Sequence, residues 1–194
     1  GAGSGKTRTL TYRVAYLLEQ GVPADRILLL TFTNKAAKEM MGRVTDLIGR
    51  DMSELWGGTF HSIGHRVLRR HAEALGFTRS FTIQDREDAK GLINACIAEA
   101  EIDVKATRFP KPDVLCEIFS LAVNKQVEAA EIIEERYSWF EHLHDEIADI
   151  GKRYTARKRA NGMMDFDDLL VLWLRLMREH DDLRELYQRR FQFV

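Results

Sequence analysis

The sequence offers little that would tie it to an oxidising compartment, a membrane or a strongly charged polymer. Its 194 residues hold two cysteines, Cys96 and Cys116, both at apolar positions of predicted helices. Neither has a second cysteine at metal or redox spacing, which excludes a thiol-built zinc or redox motif and leaves core packing in a reducing compartment. No apolar run approaches the roughly 20 residues that a helix needs to cross a bilayer, so no membrane span is expected. The start is glycine-rich and polar where a secretory leader would be basic and then apolar, and a cytoplasmic location is the expectation. Charge of one sign is missing too: Lys and Arg total 29 against 30 Asp and Glu, a formal net charge of -1. That balance removes any global electrostatic case for nucleic acid, so a DNA surface has to be local. Internal repeats and low-complexity segments are also lacking.

What is present is a globular composition, 45% hydrophobic and 30% charged, enough for one good core or two small ones. After Lys6, the residues Leu10, Val14, Leu17 and Leu18 recur at helical spacing until Gly21 and Pro23 end the pattern. Residues 27–32 form a nearly continuous apolar run, as expected of a strand covered on both faces in a parallel sheet. A helix capped by Asn34 follows, with Ala37, Met40, Met41, Val44, Leu47 and Ile48 on one side. Residues 57–60 read as a second strand, and a helix from Ser62 turns Val67, Leu68, Ala72 and Leu75 inward before Gly76 stops it. From Phe81 the character changes to successive helical patterns, with only 81–84 extended. Asp85 caps a helix, Pro110 and Pro112 break the chain, and Val114, Leu115, Ile118, Leu121 and Ala122 mark the next helix. Phe140, Leu143, Ile147, Ile150 and Tyr154 then predict an amphipathic arm that ends at Asn161 and Gly162. Asp165 caps a helix that buries Phe166, Leu169, Leu170, Trp173, Leu176 and Met177. A shorter helix around Leu183 and Tyr187 leads to residues 191–194, which read as the first half of a strand. The fold class is therefore α/β with parallel strands and an inserted all-helical domain: 1–80 for the first part, 81–162 for the insertion, 163–194 for the return.

The first seven residues, Gly1-Ala2-Gly3-Ser4-Gly5-Lys6-Thr7, have the ending of a Walker A phosphate loop, with a helix starting where the loop needs one. Glycines let backbone N–H groups turn toward phosphate oxygens, and the helix N-terminus adds partial positive charge. Lys6 would reach the β and γ phosphates, and Thr7 would hold Mg²⁺ through its hydroxyl. The alternative is a glycine-rich start that merely precedes a helix.

Two further segments narrow the choice. Leu30-Thr31-Phe32-Thr33-Asn34-Lys35-Ala36-Ala37-Lys38-Glu39-Met40 resembles motif Ia of the UvrD/Rep/PcrA superfamily 1 DNA helicases, and Gly58-Thr59-Phe60-His61-Ser62 resembles their motif Ib. Met164-Asp165-Phe166-Asp167-Asp168-Leu169-Leu170 is similar to the segment with which those helicases return from an inserted helical domain. The resemblance implies a partial RecA-like P-loop NTPase domain with ATP and Mg²⁺ as cofactors. Nucleotide would lie on Gly1, Ala2, Gly3, Ser4, Gly5, Lys6, Thr7 and Arg8, with Lys6 and Thr7 catalytic and Thr7 on the metal. It assigns Phe32, Thr33, Asn34, Lys35, Thr59, Phe60 and His61 to single-stranded DNA, with single-strand/duplex junctions as the wider substrate and 3′-to-5′ stepping in repair or replication. Both motifs follow predicted strands, where ligands of open α/β sheets bind. There an aromatic face can stack on a base while short polar side chains meet phosphates, and the phosphate loop is expected beside the same groove.

Plainer readings stand next to these. Phe32 and Phe60 fit equally a strand core, and Asn34 and Ser62 fit helix caps. His61 and His65 are four apart, but no carboxylate or cysteine completes a metal site. Arg66, Arg69 and Arg70 on one face, and Lys152, Arg153, Arg157, Lys158 and Arg159 at the arm's end, are either phosphate contacts or solvated faces. Residues 128–149 are acidic and repel DNA locally. Asp165, Asp167 and Asp168 fit capping at a helix start. Alternative functions are the helicase subunit of a recombination helicase-nuclease, a P-loop kinase or transporter ATPase that has no use for motifs Ia and Ib, and a non-catalytic module. In the family an Asp-Glu pair follows a strand like 191–194, so the chain is expected to be an N-terminal fragment that does not hydrolyse ATP alone.

Overall fold

A computed structural model describes residues 5–49 and 52–194. The chain divides into two compact units, 1–67 with 174–194, and 68–173. These boundaries fall within helices, whereas the change of sequence character lies at 80/81 and 162/163.

The first unit opens with α1 (Lys6–Glu19), which buries Thr11, Val14, Ala15 and Leu18. Leu10, expected inward, is 46% exposed, because the buried stripe runs through Thr11 instead. The Thr11 hydroxyl tolerates burial by donating to the Thr7 carbonyl at 2.8 Å. After a 3₁₀ turn at Ala24–Arg26, β1 (Leu28–Thr31) pairs in parallel with β2 (Trp56–Thr59), with Leu28 opposite Trp56 and Thr31 opposite Thr59. Between them runs α2 (Asn34–Ile48), capped by Thr33 and not Asn34: the Thr33 hydroxyl accepts the Ala36 N–H at 3.1 Å. α3 (Phe60–His71) starts two residues earlier than expected, since Thr59 caps it by accepting the Ser62 N–H at 3.2 Å.

Val14, Leu18, Ile27, Leu29, Met40, Val44, Met52 and Leu55 form this unit's core. At the far end of the chain, the Leu28 N–H donates to the Phe193 carbonyl at 2.9 Å, and Ile27 and Phe193 form a parallel bridge. At 191–194, expected to be the first half of a strand, the structure has this one bridge beside β1.

In the second unit, β3 (Thr82–Ile83) leads to α4 (Arg86–Glu99), which a reciprocal Asp85/Asp88 capping box starts. α5 (Pro112–Lys125) carries Pro112 at its first position, where a missing N–H costs nothing. α6 (Ala129–Arg136) was not read from the sequence, although Glu128 and Glu131 form its capping box. The expected arm is a 3₁₀ segment (Ser138–Leu143) followed by α7 (His144–Ala160), which buries Ile147, Ile150 and Tyr154. β4 (Met163–Met164) then pairs in parallel with β3 before α8 (Phe166–Glu179), and α9 (Asp181–Arg190) follows. The helical body therefore includes a short strand pair, because the entering and leaving chains run side by side.

Candidate nucleotide and nucleic-acid site

Of the phosphate loop, Gly1 to Ser4 lie outside the described residues. Gly5 has φ +76°, a left-handed conformation that L side chains rarely adopt, and stands at the N-cap of α1 without any side-chain cap. No acidic residue sits in the first turn. Lys6, Thr7 and Arg8 are exposed, and among the described residues Lys6 makes no ion pair. Among the described residues, a helix N-terminus without a side-chain cap and an ammonium without an ion pair fit a polyphosphate. Arg8 lies over the Tyr12 ring at 5.5 Å and lines a cavity of about 380 Å³ with Thr11, Tyr12, Arg43, Asp46 and Leu47.

The motif Ia and Ib residues gather elsewhere in the same unit. Parallel pairing of Thr31 with Thr59 carries Phe32 and Phe60 out side by side beyond the ends of β1 and β2. Their rings are 5.8 Å apart, tilted by 44°, with Phe32 92% and Phe60 39% exposed. The core reading of these two residues is therefore overturned: both lie past the last paired residue of their strands. Asn34 and Lys35 are exposed and His61 is partly buried. Thr33 uses its hydroxyl as the α2 cap, and buried Thr59 does the same for α3. Thr7 is bonded within its own helix, its carbonyl accepting the Thr11 hydroxyl at 2.8 Å. The start of α1 faces the second half of α2 across the Arg8 cavity.

Residues 1–194, the whole chain, match the UvrD/REP helicase N-terminal domain. The chain belongs to that family. This UvrD/REP domain is 39% identical over 195 residues to the ATP-dependent DNA helicase PcrA of Staphylococcus epidermidis, and 37% identical to the PcrA proteins of Bacillus subtilis and Staphylococcus aureus. Each alignment covers 100% of the chain and 26% of the relative, so the chain spans about a quarter of the length of these relatives.

The basic clusters of this UvrD/REP domain are occupied internally. Arg66 lies 3.8 Å over the Trp56 ring, and Arg69 lies 4.1 Å over Phe81 while donating to the Arg79 carbonyl at 2.6 Å. At the end of α7, Arg153 pairs with Asp149, Arg157 with Glu99, and Arg159 donates to the Leu75 carbonyl. Lys158 is only 6% exposed and bonds Asp165 at 2.5 Å and Asp168 at 2.6 Å. Of the five α7 cations, Lys152 alone is exposed and unpaired among the described residues. Burial removes Lys158 from either reading, whereas Lys152, Arg153 and Arg159 remain exposed and Arg157 partly so.

That pairing belongs to a buried network which the sequence did not reveal. The Tyr154 hydroxyl donates to Asp165 at 3.0 Å and accepts from the Gln84 amide at 2.5 Å, and the Asp165 and Asp168 carboxylates also cap α8 through each other's backbone N–H. Burial alone would lower the Lys158 ammonium, but Asp168 and Asp165 outweigh it and hold it above the ordinary lysine value. Burial pushes Asp165 up, yet Lys158 brings it below the usual carboxylate range, while burial leaves Asp168 above that range. The Tyr154 phenol is raised by burial and by Asp165. Asp167 stands apart, bonded to Asn124 at 2.8 Å. Among the described residues no group of three or more His, Cys, Asp or Glu could hold a metal, and no helix is long and apolar enough to cross a membrane.

Proposed function

We propose that this chain carries the ATP loop and part of the single-strand grip of an ATP-dependent DNA helicase that steps 3′ to 5′ in DNA repair or replication. The observation that carries the reading is the Phe32/Phe60 pair. Two exposed phenyl rings at the ends of adjacent parallel strands fill no core, and they offer faces on which unpaired bases stack irrespective of sequence. Asn34 and Lys35, exposed at the start of α2, supply a donor and a cation to the phosphates beside those bases, and His61 flanks Phe60. Thr33 and Thr59 act as the caps that set both rings. Single-stranded DNA and its junctions with duplex are the substrates.

At the other group, the glycine-rich segment that ends at Gly5 would supply backbone N–H groups to phosphate oxygens, Lys6 would reach the β and γ phosphates, and Thr7 would hold Mg²⁺ through its hydroxyl, with Arg8 beside the nucleotide. When bound, the metal offsets the charge of the phosphoryl group being transferred. Residues 1–80 and 163–194 belong to the motor domain in this reading, and 81–162 to its insertion. The names of the PcrA relatives support an ATP-driven DNA motor, and a P-loop kinase or transporter ATPase has no role for the exposed ring pair.

The deciding experiment is ATP turnover by the full-length polypeptide with and without an oligothymidine. Stimulation by the oligonucleotide is expected, and Lys6→Ala abolishes it with the fold retained by circular dichroism. Turnover indifferent to single-stranded DNA overturns the reading.

A further inference from the structure

Residues 128–149 have no part in the proposed site, and their chemistry points away from nucleic acid. The segment holds eight carboxylates and a single Lys or Arg, Arg136. Glu135 is tied to Lys125 and Arg136, but Glu134, Glu141 and Glu146 are exposed and make no ion pair among the described residues. In the middle stands Trp139, 64% exposed. Its indole meets Tyr137 edge-on at 5.7 Å and Phe140 at 5.8 Å. Backbone bonds from the Tyr137 N–H to the Ile133 carbonyl and from the Phe140 N–H to the Tyr137 carbonyl, each 2.8 Å, fix the turn that carries all three rings. The patch is thus built in advance, and it adjoins the C-terminal end of α6, whose dipole adds negative potential.

A large aromatic held in solvent and rimmed by charge is a binding anchor more than a packing residue. Two polymers stack on an exposed indole: a single strand of nucleic acid, and a chain bearing guanidinium or ammonium groups. The eight carboxylates of the segment, against one arginine, repel the phosphates of the first and attract the second. We propose that Trp139, with Tyr137 and Phe140, is a docking patch for a Lys/Arg-rich segment of a partner protein, whose cations sit on the indole face and beside Glu134 and Glu141.

The test uses the full-length polypeptide and a fluorescein-labelled octapeptide of alternating Arg and Lys, followed by anisotropy. The peptide is expected to bind, less tightly as salt rises. Trp139→Ala should weaken it about fivefold without changing any charge. Glu134→Lys combined with Glu141→Lys should weaken it about tenfold or more, and Glu19→Lys on α1 should leave it unchanged. Failure of the peptide to bind, or equal binding to wild type and Trp139→Ala, overturns the proposal, since attraction would then be absent or owed to acidity alone. So does loss of oligothymidine affinity in Trp139→Ala, which would make the patch a nucleic-acid surface. Protection of Trp139 from oxidative footprinting without peptide also overturns it, because the polypeptide itself would then cover the ring.

Discussion

Phe32 shows how little separates a core residue from a binding residue. It ends an apolar run that begins at Ile27, and its type suits burial, yet β1 stops at Thr31 and the next side chain stands 92% exposed. Replacing both Phe32 and Phe60 with Ala should weaken oligothymidine binding by about 1–3 kcal/mol per base lost from the stack, measured by anisotropy. A folded double variant of undiminished affinity would deny the rings this role. Gly58 supports the same place from behind, since a Cβ there would run into the Ser62 hydroxyl, which donates to the Thr59 carbonyl at 2.8 Å. Gly58→Ala should therefore displace that hydroxyl, cost about 1 kcal/mol of stability in urea melts and weaken oligothymidine binding by loosening the turn under Phe60. Sequence pattern located these residues well but could not tell which of their polar atoms are free. Thr33 and Thr59 look like phosphate donors, and their hydroxyl oxygens also accept the N–H groups that start α2 and α3.

Among the elements, the β3–β4 pair has only two residues in each strand, too few to hold by ladder bonds alone. The Lys158, Asp165, Asp168, Tyr154 and Gln84 network braces it, joining α7 to the start of α8. Lys158→Met leaves two buried carboxylates without their cation and should destabilise the protein by about 3–5 kcal/mol. The pH dependence has a definite sign. Lys158 and Tyr154 both titrate higher in the folded state than their ordinary 10.5 and 10.0. Their contribution is complete below about pH 10 and is lost as pH rises through the folded values. The gap in melting temperature between wild type and Lys158→Met should accordingly be constant from pH 7 to about pH 9 and narrow above pH 10.5. A gap that stays constant through pH 11 would show that the ion pairs contribute nothing. Helix positions were legible because apolar spacing is local. The partner of Lys158 was not: a lysine in a basic run and an aspartate at a helix start each have an ordinary local explanation.

For the whole molecule, a net charge of -1 and the carboxylate partners of Arg153, Arg157 and Lys158 leave a local rather than a global DNA surface. The salt dependence of oligothymidine binding should be shallow, with Lys35→Gln lowering the slope by about 0.7. Arg157→Gln, by contrast, should change affinity by no more than about twofold, because that guanidinium is paired with Glu99. A steep slope insensitive to Lys35 would place the phosphate contacts elsewhere. Taken alone, the sequence determined the family, the Gly-Lys-Thr ending of its first segment, most helices and the first two strands but neither α6 nor β4, and the two segments that flank the strand ends. These are local patterns, set by which neighbours along the chain can share a face or a turn. Only the tertiary structure decided that Phe32 and Phe60 come together in solvent, that Arg153, Arg157 and Lys158 of α7 meet Asp149, Glu99, Asp165 and Asp168, and that Trp139 of the acidic segment stands exposed. Each of those outcomes depends on which residues, distant along the chain, meet in space, and on how far burial raises the cost of leaving a charge alone.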